Sequence, residues 1–187
     1  MRKLKLQVQM SVDGFIAGPE SEMDWMRWDW GDDINAYVTE LCNDIDTILL
    51  GRKLAEGFIP HWEQMQANPE TADAGSELMT ATPKIVFTKT LKSSDWVNTT
   101  LATGEYIGEI NNLKNRNGGD IIAYGGATFV SSLIKAGLID DYYLFVNPAA
   151  LGKGLPIFQE ITGTLNLQLK EAKAFNCGIA VLHYTKA

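Results

Sequence analysis

Hydrophobic and polar residues alternate strictly along the first stretch of the chain. Polar side chains occupy the odd positions from residue 3 to residue 11, and apolar ones occupy the even positions, which hold Leu4, Leu6, Val8, Met10 and Val12. A period of two is typical of a strand with one buried face. A strand is therefore predicted over residues 4–12, followed by the turn signal Asp13-Gly14 and an irregular loop.

The next apolar residues recur at the spacing of a helix, and they are Ile34, Tyr37, Val38, Leu41 and Cys42. This pattern predicts a helix, with Asp32 and Asp33 placed to cap it and to favour the positive end of its dipole. A short apolar strand is predicted over residues 46–50, and a brief helical stretch then runs towards Pro60. The polar, turn-rich segment from residue 60 to 76 is compatible with either a mobile flap or a partly helical excursion.

The second half of the chain continues the alternation and then ends in strands alone. Helices are predicted around residues 107–113 and 129–134 from their apolar spacing. The predicted strands lie at residues 84–88, 96–100, 120–124, 140–146, 165–173 and 178–185. Because no long helix separates the last three strands, they are expected to pair antiparallel. The chain is thus predicted to have an α/β fold, with a mixed, mostly parallel central sheet flanked by helices and with antiparallel C-terminal strands.

Length and composition place this fold in a single domain. The 187 residues suit one globular unit, so a single domain is expected over residues 1–187. No apolar run reaches the roughly 18 residues that a membrane span needs. The alternating N-terminus lacks the apolar core of a secretory signal, and a cytoplasmic location is expected.

The charge balance argues against binding to nucleic acid. The chain has 16 Lys and Arg against 23 Asp and Glu, a net charge of −7, and it lacks the basic stripe that phosphate backbones require. Cys42 and Cys177 lie far apart and are expected to be free thiols. Together with His61 and His183 they show no zinc-site spacing, so no metal site is predicted.

Glycine and cationic residues follow three of the predicted strands. These strand ends carry Gly51, Arg52 and Lys53, then Thr88 and Lys89, and finally Gly125, Gly126, Ala127 and Thr128. Glycines at a helix start let a pyrophosphate approach unpaired N–H groups, and Arg and Lys can hold a sugar phosphate. Because ligands of open α/β sheets bind at the carboxyl edge, the three strand ends predict a dinucleotide across that edge. Taken singly, each is also compatible with a tight turn or a solvated helix start.

An aromatic and acidic cluster lies between the first strand and the first long helix, and its members are Trp25, Trp28, Trp30, Asp24, Asp29, Asp32 and Asp33. Aromatic faces beside carboxylates can hold and protonate a heterocycle. The same cluster is compatible with aromatic packing beneath a solvated acidic face. The sequence alone leaves both interpretations open.

Four motifs in order resemble the dihydrofolate reductase fold, and most closely the C-terminal reductase domain of the bifunctional riboflavin-biosynthesis deaminase-reductase. The resemblance covers nearly the whole chain. It is carried by residues 11–17 (SVDGFIA), 48–52 (ILLGR) and 122–127 (IAYGGA), and by the more specific run 138–148 (LIDDYYLFVNP) with 151–154 (LGKG) and 156–158 (PIF).

The resemblance implies an NADPH-dependent reductase that acts on a small-molecule substrate as a homodimer. In such a reductase, Ile16, Ala17 and Gly18 would line the nicotinamide and the Gly125 to Thr128 stretch the pyrophosphate. The residues facing the adenosine 2′-phosphate would be Arg52, Lys53, Thr88 and Lys89. The zinc deaminase signature is absent from the chain, so the resemblance implies at most the reductive half of the bifunctional enzyme's work.

The substrate side departs from both relatives. Folate reductases place a carboxylate near the start of the first long helix, and counting back from Gly51 puts Asn35 there, with Asp33 two residues away. Riboflavin-pathway reductases often carry Lys or Arg where this chain has Phe15. The primary hypothesis, taken from the resemblance, is reduction of 5-amino-6-(5-phosphoribosylamino)uracil or a similar heterocyclic or ribosyl compound.

Three residues are predicted to face that substrate. Trp25 would stack on it, Asn147 would contact it, and Asp33 would donate or orient a proton, since burial or a neighbouring acid can raise the pKa of a carboxyl group. The alternatives are a dihydrofolate or pterin-type reductase, another small-molecule NADPH reductase, and a nucleotide-binding protein without turnover. A structural interaction domain would have no nucleotide affinity at all.

Overall fold

A computed structural model describes residues 1–187, which form eight strands and five helices. The strands are β1 (Leu4–Met10), β2 (Ile45–Gly51), β3 (Lys84–Phe87), β4 (Thr99–Ala102), β5 (Asp120–Tyr124), β6 (Asp141–Val146), β7 (Leu167–Ala174) and β8 (Ala180–Lys186). The helices are α1 (Asp32–Cys42), α2 (Arg52–Ala67), α3 (Ala74–Ala81), α4 (Tyr106–Lys114) and α5 (Ala127–Lys135).

All eight strands join one sheet, in the order β4-β3-β2-β5-β1-β6-β8-β7. β1 pairs in parallel with β5 and β6, and the pairs from β4 to β5 are parallel as well. β8 pairs antiparallel with both β6 and β7. The predicted mixed sheet with antiparallel C-terminal strands is therefore confirmed. The parallel strands end at one common edge of the sheet.

Helices cover both faces of this sheet because the central strands β2 and β5 are apolar on both sides. On one face, Leu4 and Leu6 of β1 belong to the same core as Ile110 of α4 and Val130 of α5. On the other face, the apolar residues of β2 pack against α2 and α3, and Phe145 of β6 packs against α1. The helix starts of α2 and α5 thus lie on opposite faces of the sheet at its carboxyl edge.

The helix that begins at Arg52 is longer than predicted. α2 runs through Pro60 to Ala67, and α3 follows it, so most of the segment from residue 60 to 76 is helical. Proline removes one N–H donor, yet Pro60 is exposed whereas its neighbour Ile59 is fully buried, so core packing keeps the helix continuous. At 16 residues α2 is the longest helix, and no helix is long and apolar enough to cross a membrane.

Three smaller boundaries also differ from prediction. β1 ends at Met10, and β4 lies at Thr99–Ala102 instead of residues 96–100. The N-cap residue of α1 is Gly31, without a side-chain capping bond, so Asp32 and Asp33 occupy the first turn instead of the N-cap position. Both carboxylates still lie where the helix dipole favours negative charge.

Candidate functional site

A cavity of about 1100 Å³ opens at the carboxyl edge of the parallel strands. Its walls include Gly51 at the end of β2, Thr88 just after β3 and Gly125 just after β5. Open α/β sheets bind their ligands at this edge because loops and helix starts converge there. The volume can hold a dinucleotide and a small second molecule together.

The three strand ends predicted to bind a nucleotide converge on this cavity. We call them the strand-end group, whose members are Gly51, Arg52, Lys53, Thr88, Lys89, Gly125, Gly126, Ala127 and Thr128, and every one of them lines the cavity. Ile16 and Ala17, predicted to line a nicotinamide, border the same space, whereas Gly18 does not. The structure therefore brings the residues of all three predicted strand ends to a single cavity.

Two helices begin in the strand-end group without a side-chain cap. Gly51 precedes α2 and Gly126 precedes α5, and neither helix start receives a side-chain hydrogen bond. Gly126 has a φ of 82°, in the left-handed region that glycine tolerates best. By contrast α3, which also borders the cavity, is capped by the Asp73 carboxylate. The uncapped starts leave N–H groups and positive dipole ends available to an anion.

Gly51 also brings the two helix starts close together. A Cβ atom added there would lie 2.7 Å from Cβ of Phe129 in α5, closer than real Cβ contacts come. The φ of Gly51 is −81°, an ordinary value for any residue, so glycine is required by space alone. The approach of β2 to α5 depends on this missing side chain.

The charges of the cavity are concentrated in one part of it. Its charged lining residues are Arg52, Lys53, Lys89 and Asp73. Arg52 forms an ion pair with Glu56 one turn along α2, at 2.6 Å, while the other ion pairs of the chain leave Lys53 and Lys89 free. The strand-end group thus combines helix starts with cations, which suits a phosphorylated ligand.

The remaining part of the cavity, which we call the uncharged half, is lined by apolar and neutral polar side chains. Its lining comes from β1, from the loop between β1 and α1, from α1 and from the end of β5, and includes Gln7, Gln9, Ile16, Ala17, Ser21, Met23, Met26, Trp28, Trp30, Asn35, Val38, Thr39 and Tyr124. Trp28 and Trp30 stack with their ring centroids 6.4 Å apart, and Trp30 stacks in turn on Phe145. Such a wall suits a flat aromatic ligand.

The structure places Asp33 and Trp25 outside the cavity lining. One oxygen of Asp33 accepts a hydrogen bond from the Ile34 N–H, and the other accepts one from the Asn176 N–H, each at 2.9 Å. The indole N–H of Trp25 donates to the carbonyl of Glu22. Asp33 thereby tethers α1 to the turn before β8. The α1 side chain at the cavity is Asn35.

Asn147, the third residue predicted to contact substrate, is fully buried behind the cavity wall. Its side-chain oxygen accepts from the Arg27 N–H at 2.8 Å, and its amide donates to Oε1 of Gln9 at 2.7 Å and to the Phe145 carbonyl at 3.2 Å. Asn147 therefore holds Gln9 and the loop between β1 and α1 in place without lining the cavity.

Gln7, Gln9 and Tyr124 were not predicted as site residues. The sequence did contain a signal for the glutamines, because the odd positions of β1 are polar although the strand lies at the centre of the sheet. Polar side chains on a central strand need a cavity or a polar partner. Burial raises the pKa of Tyr124 well above its usual value, so its phenol stays protonated.

No cluster of three or more His, Cys, Asp or Glu side chains is arranged to hold a metal ion. Cys42 is buried and Cys177 is partly exposed, and both are free thiols. Burial raises the pKa of the Cys42 thiol.

Comparison with known proteins identifies the family of this fold. The family model of the RibD C-terminal domain matches residues 2–181. The chain belongs to the RibD C-terminal domain family. A relative of similar length, the uncharacterized protein YyaP of Bacillus subtilis (strain 168), is 34% identical over 187 residues, covering 98% of this chain and 94% of YyaP.

Solved structures with low sequence identity share the RibD C-terminal domain fold. The diaminohydroxyphosphoribosylaminopyrimidine deaminase/5-amino-6-(5-phosphoribosylamino)uracil reductase of Thermotoga maritima superposes with a TM-score of 0.70 at 16% identity, covering 100% of this chain and 57% of that one. Dihydrofolate reductase from Enterococcus faecalis, solved with NADP(H), gives a TM-score of 0.59 at 17% identity, with 98% and 96% covered. The predicted dihydrofolate reductase-like fold is confirmed.

Proposed function

We propose that this protein is an NADPH-dependent reductase that transfers hydride to a small heterocyclic or ribosyl substrate, a reaction of the 5-amino-6-(5-phosphoribosylamino)uracil reductase type. One observation carries the proposal. A single cavity joins two uncapped helix starts and three cations to an uncharged, aromatic half. A nucleotide and a flat substrate can therefore lie side by side within it.

The strand-end group fits the phosphates of NADPH. The N–H groups at the starts of α2 and α5 suit the pyrophosphate, and the hydroxyl of Thr128 lies in the first turn of α5. Arg52, Lys53 and Lys89 suit the adenosine 2′-phosphate, because a second phosphate requires cations beyond those helix starts. Bound there, NADPH would supply the hydride, and Ile16 and Ala17 would border its nicotinamide.

The uncharged half would orient the substrate and exclude water from it. Met23, Met26 and the stacked tryptophans provide an apolar wall, which favours a flat ring over bulk water. Tyr124 keeps its proton because burial raises the pKa of its phenol, so it can donate a hydrogen bond at neutral pH. We propose Tyr124 as an orienting donor at this site, and Asp33 as a structural tether.

The proposal is tested by substrate-dependent oxidation of NADPH. Purified protein is mixed with NADPH and with 5-amino-6-(5-phosphoribosylamino)uracil, dihydropterin or dihydrofolate in turn, and the absorbance of the reduced nicotinamide is followed. We expect turnover with a uracil-type ring and none with dihydrofolate, because Asn35 occupies the position at which folate reductases carry a carboxylate. NADPH binding without oxidation in any mixture would favour the non-catalytic nucleotide-binding protein.

We also propose that the protein forms a homodimer. β7 supports this proposal because it is an edge strand with most of its residues exposed. An edge strand of this length presents unpaired N–H and C=O groups that a second chain can pair with or cover. Sedimentation equilibrium measures the mass directly, and a monomer at all concentrations would contradict the proposal.

A further inference from the structure

The charged residues that line the cavity all come after the first 50 residues of the chain. Thirteen of the first 50 residues line the cavity, from β1, the loop after it and α1, and none of the thirteen is charged. The cations all follow β2 and β3, and Asp73 is engaged as the cap of α3. A phosphate or carboxylate held in the uncharged half would therefore find no cation among the lining residues of the first 50 positions.

Gln7 is the most unusual residue of the uncharged half. Its side chain lines the cavity from the central strand β1 and is only 7% exposed, and its Oε1 has no hydrogen-bond partner. A buried amide oxygen without a donor costs free energy, so native proteins rarely leave one unpaired. That oxygen is the buried end of the amide, so a half-turn about the soft terminal torsion of glutamine is needed to present it to a donor in the cavity. A ligand N–H would supply the missing bond.

Gln9 provides the complementary group. It lies two residues along the same strand, about 7 Å further by the strand rise, and on the same face as Gln7. Its Oε1 already accepts a hydrogen bond from Asn147, at 2.7 Å. The NH₂ end of the same amide is therefore the end that remains to donate to a ligand carbonyl. The two glutamines together offer one acceptor and one donor.

From this pairing we infer that the substrate is an uncharged ring with a lactam edge, whose N–H donates to Gln7 and whose C=O accepts from Gln9. The inference rests on the proposed function, since it names the substrate class of the same reductase. It also separates this chain from reductases of phosphorylated substrates, because the uncharged half carries no cation for a substrate phosphate. The ring would stack near the tryptophans of the loop.

The lactam edge is tested by binding, without turnover and without NADPH. Lumazine, a two-ring heterocycle with lactam N–H groups, is titrated into the protein at a pH at which it is uncharged, and its dimethyl derivative lacks those hydrogens. Quenching of tryptophan fluorescence should give an affinity for lumazine about tenfold or more above that of the dimethyl compound, the effect of one hydrogen bond in a buried site. Equal affinities in the wild-type protein would overturn the inference.

Matched variants assign the effect to Gln7. Gln7→Leu should abolish the preference for lumazine while the free energy of unfolding and the NADPH dissociation constant stay the same, because an unpaired buried acceptor is replaced by an apolar group of similar shape. Gln168→Leu changes an exposed glutamine of β7 and should keep the full preference. A preference that survives in Gln7→Leu would overturn the role of Gln7. Since the lumazine preference is measured without nucleotide, failure of NADPH binding would contradict the proposed reductase separately.

The absence of a substrate phosphate is tested with a second ligand pair. With NADP⁺ saturating the strand-end group, so that no hydride is available for reduction, 5-amino-6-(5-phosphoribosylamino)uracil is compared with its dephosphorylated form. We expect the two affinities to agree within about twofold, because no cation remains to bind the phosphate. A tenfold or greater preference for the phosphorylated compound would overturn the inference that the substrate is uncharged.

Discussion

Among single residues, Asn147 links the two parts of the molecule that shape the uncharged half. Asn147→Ala removes the partner of the Arg27 N–H and of Gln9 Oε1 together. Each buried group left unpaired costs about 1–3 kcal/mol, so the variant should lose roughly 2 kcal/mol or more of unfolding free energy. Urea unfolding measures this loss. A change near zero would show that the Asn147 bonds do not support the loop.

Asp33 provides a contrasting prediction, because its carboxylate tethers α1 to the Asn176 N–H. Asp33→Asn keeps one acceptor oxygen, so turnover and NADPH affinity should both stay within about twofold of wild type, with a stability loss of about 1 kcal/mol. Steady-state kinetics with the substrate found in the screen measures the effect on turnover. A fall of a hundredfold or more would restore Asp33 as the proton donor that the sequence predicted.

These residues show which parts of the site could be predicted from the sequence. The strand-end group was found because a residue at the carboxyl end of a parallel strand lies at the ligand edge whatever its neighbours are. Trp25, Asp33 and Asn147 lie in a loop, in the first turn of a helix and after a strand, where the direction of a side chain depends on tertiary packing. Periodicity does not determine that direction.

At the level of elements, two glycines of the second strand–helix unit provide matched variants. Gly51→Ala brings a methyl group against Cβ of Phe129 and should push α5 from β2, with a loss of about 1–3 kcal/mol typical of overpacking and with weaker NADPH binding. Gly57→Ala lies inside α2 with nothing near its Cβ, and should stabilise by about 0.5–1 kcal/mol. Thermal unfolding distinguishes the two. Equal effects would contradict the close approach at Gly51.

Asp13 joins two loops beside the cavity and gives a prediction on pH. Hydrogen bonds from the Ser11 hydroxyl and from the Gly152 and Leu151 N–H groups lower the pKa of Asp13 to about 2. Since the unfolded pKa is about 3.9, this stabilisation is fully present above that pH and is lost as the pH falls through about 2. The difference in unfolding free energy between wild type and Asp13→Asn should shrink over that range. A difference independent of pH would contradict the assignment.

The helices and strands lie where the hydrophobic pattern predicts them, except where a local sequence signal conflicts with packing in the core. Pro60 and the polar residues after it predict the end of a helix, but Ala55 and Ile59 are fully buried and hold α2 against the sheet. α3 begins at the capping residue Asp73, whose pairing with Ser76 is visible in the sequence only once the helix is known. Tertiary packing therefore accounts for both departures from the predicted helices.

Across the whole molecule, one sheet brings together segments that are distant in sequence. β1 lies beside β5, and β2 lies between β3 and β5, so residues 51, 88 and 125 meet at one edge. The alternation of strands and helices was sufficient to predict this edge, because parallel strands need crossover connections. It could not predict that the cavity would be cationic on one side and uncharged on the other, since that depends on how the loop before α1 folds back.

The proposed reductase function depends most directly on nucleotide binding by the strand-end group. NADPH and NADH are titrated separately, by tryptophan fluorescence, into the wild-type protein, Arg52→Ala and Arg116→Ala, an exposed arginine outside the cavity. We expect NADPH to bind tightly, Arg52→Ala to weaken it by about tenfold or more while NADH affinity changes little, and Arg116→Ala to have no effect. If neither nucleotide binds, or if Arg52→Ala leaves the NADPH affinity unchanged, the proposed cofactor site is contradicted.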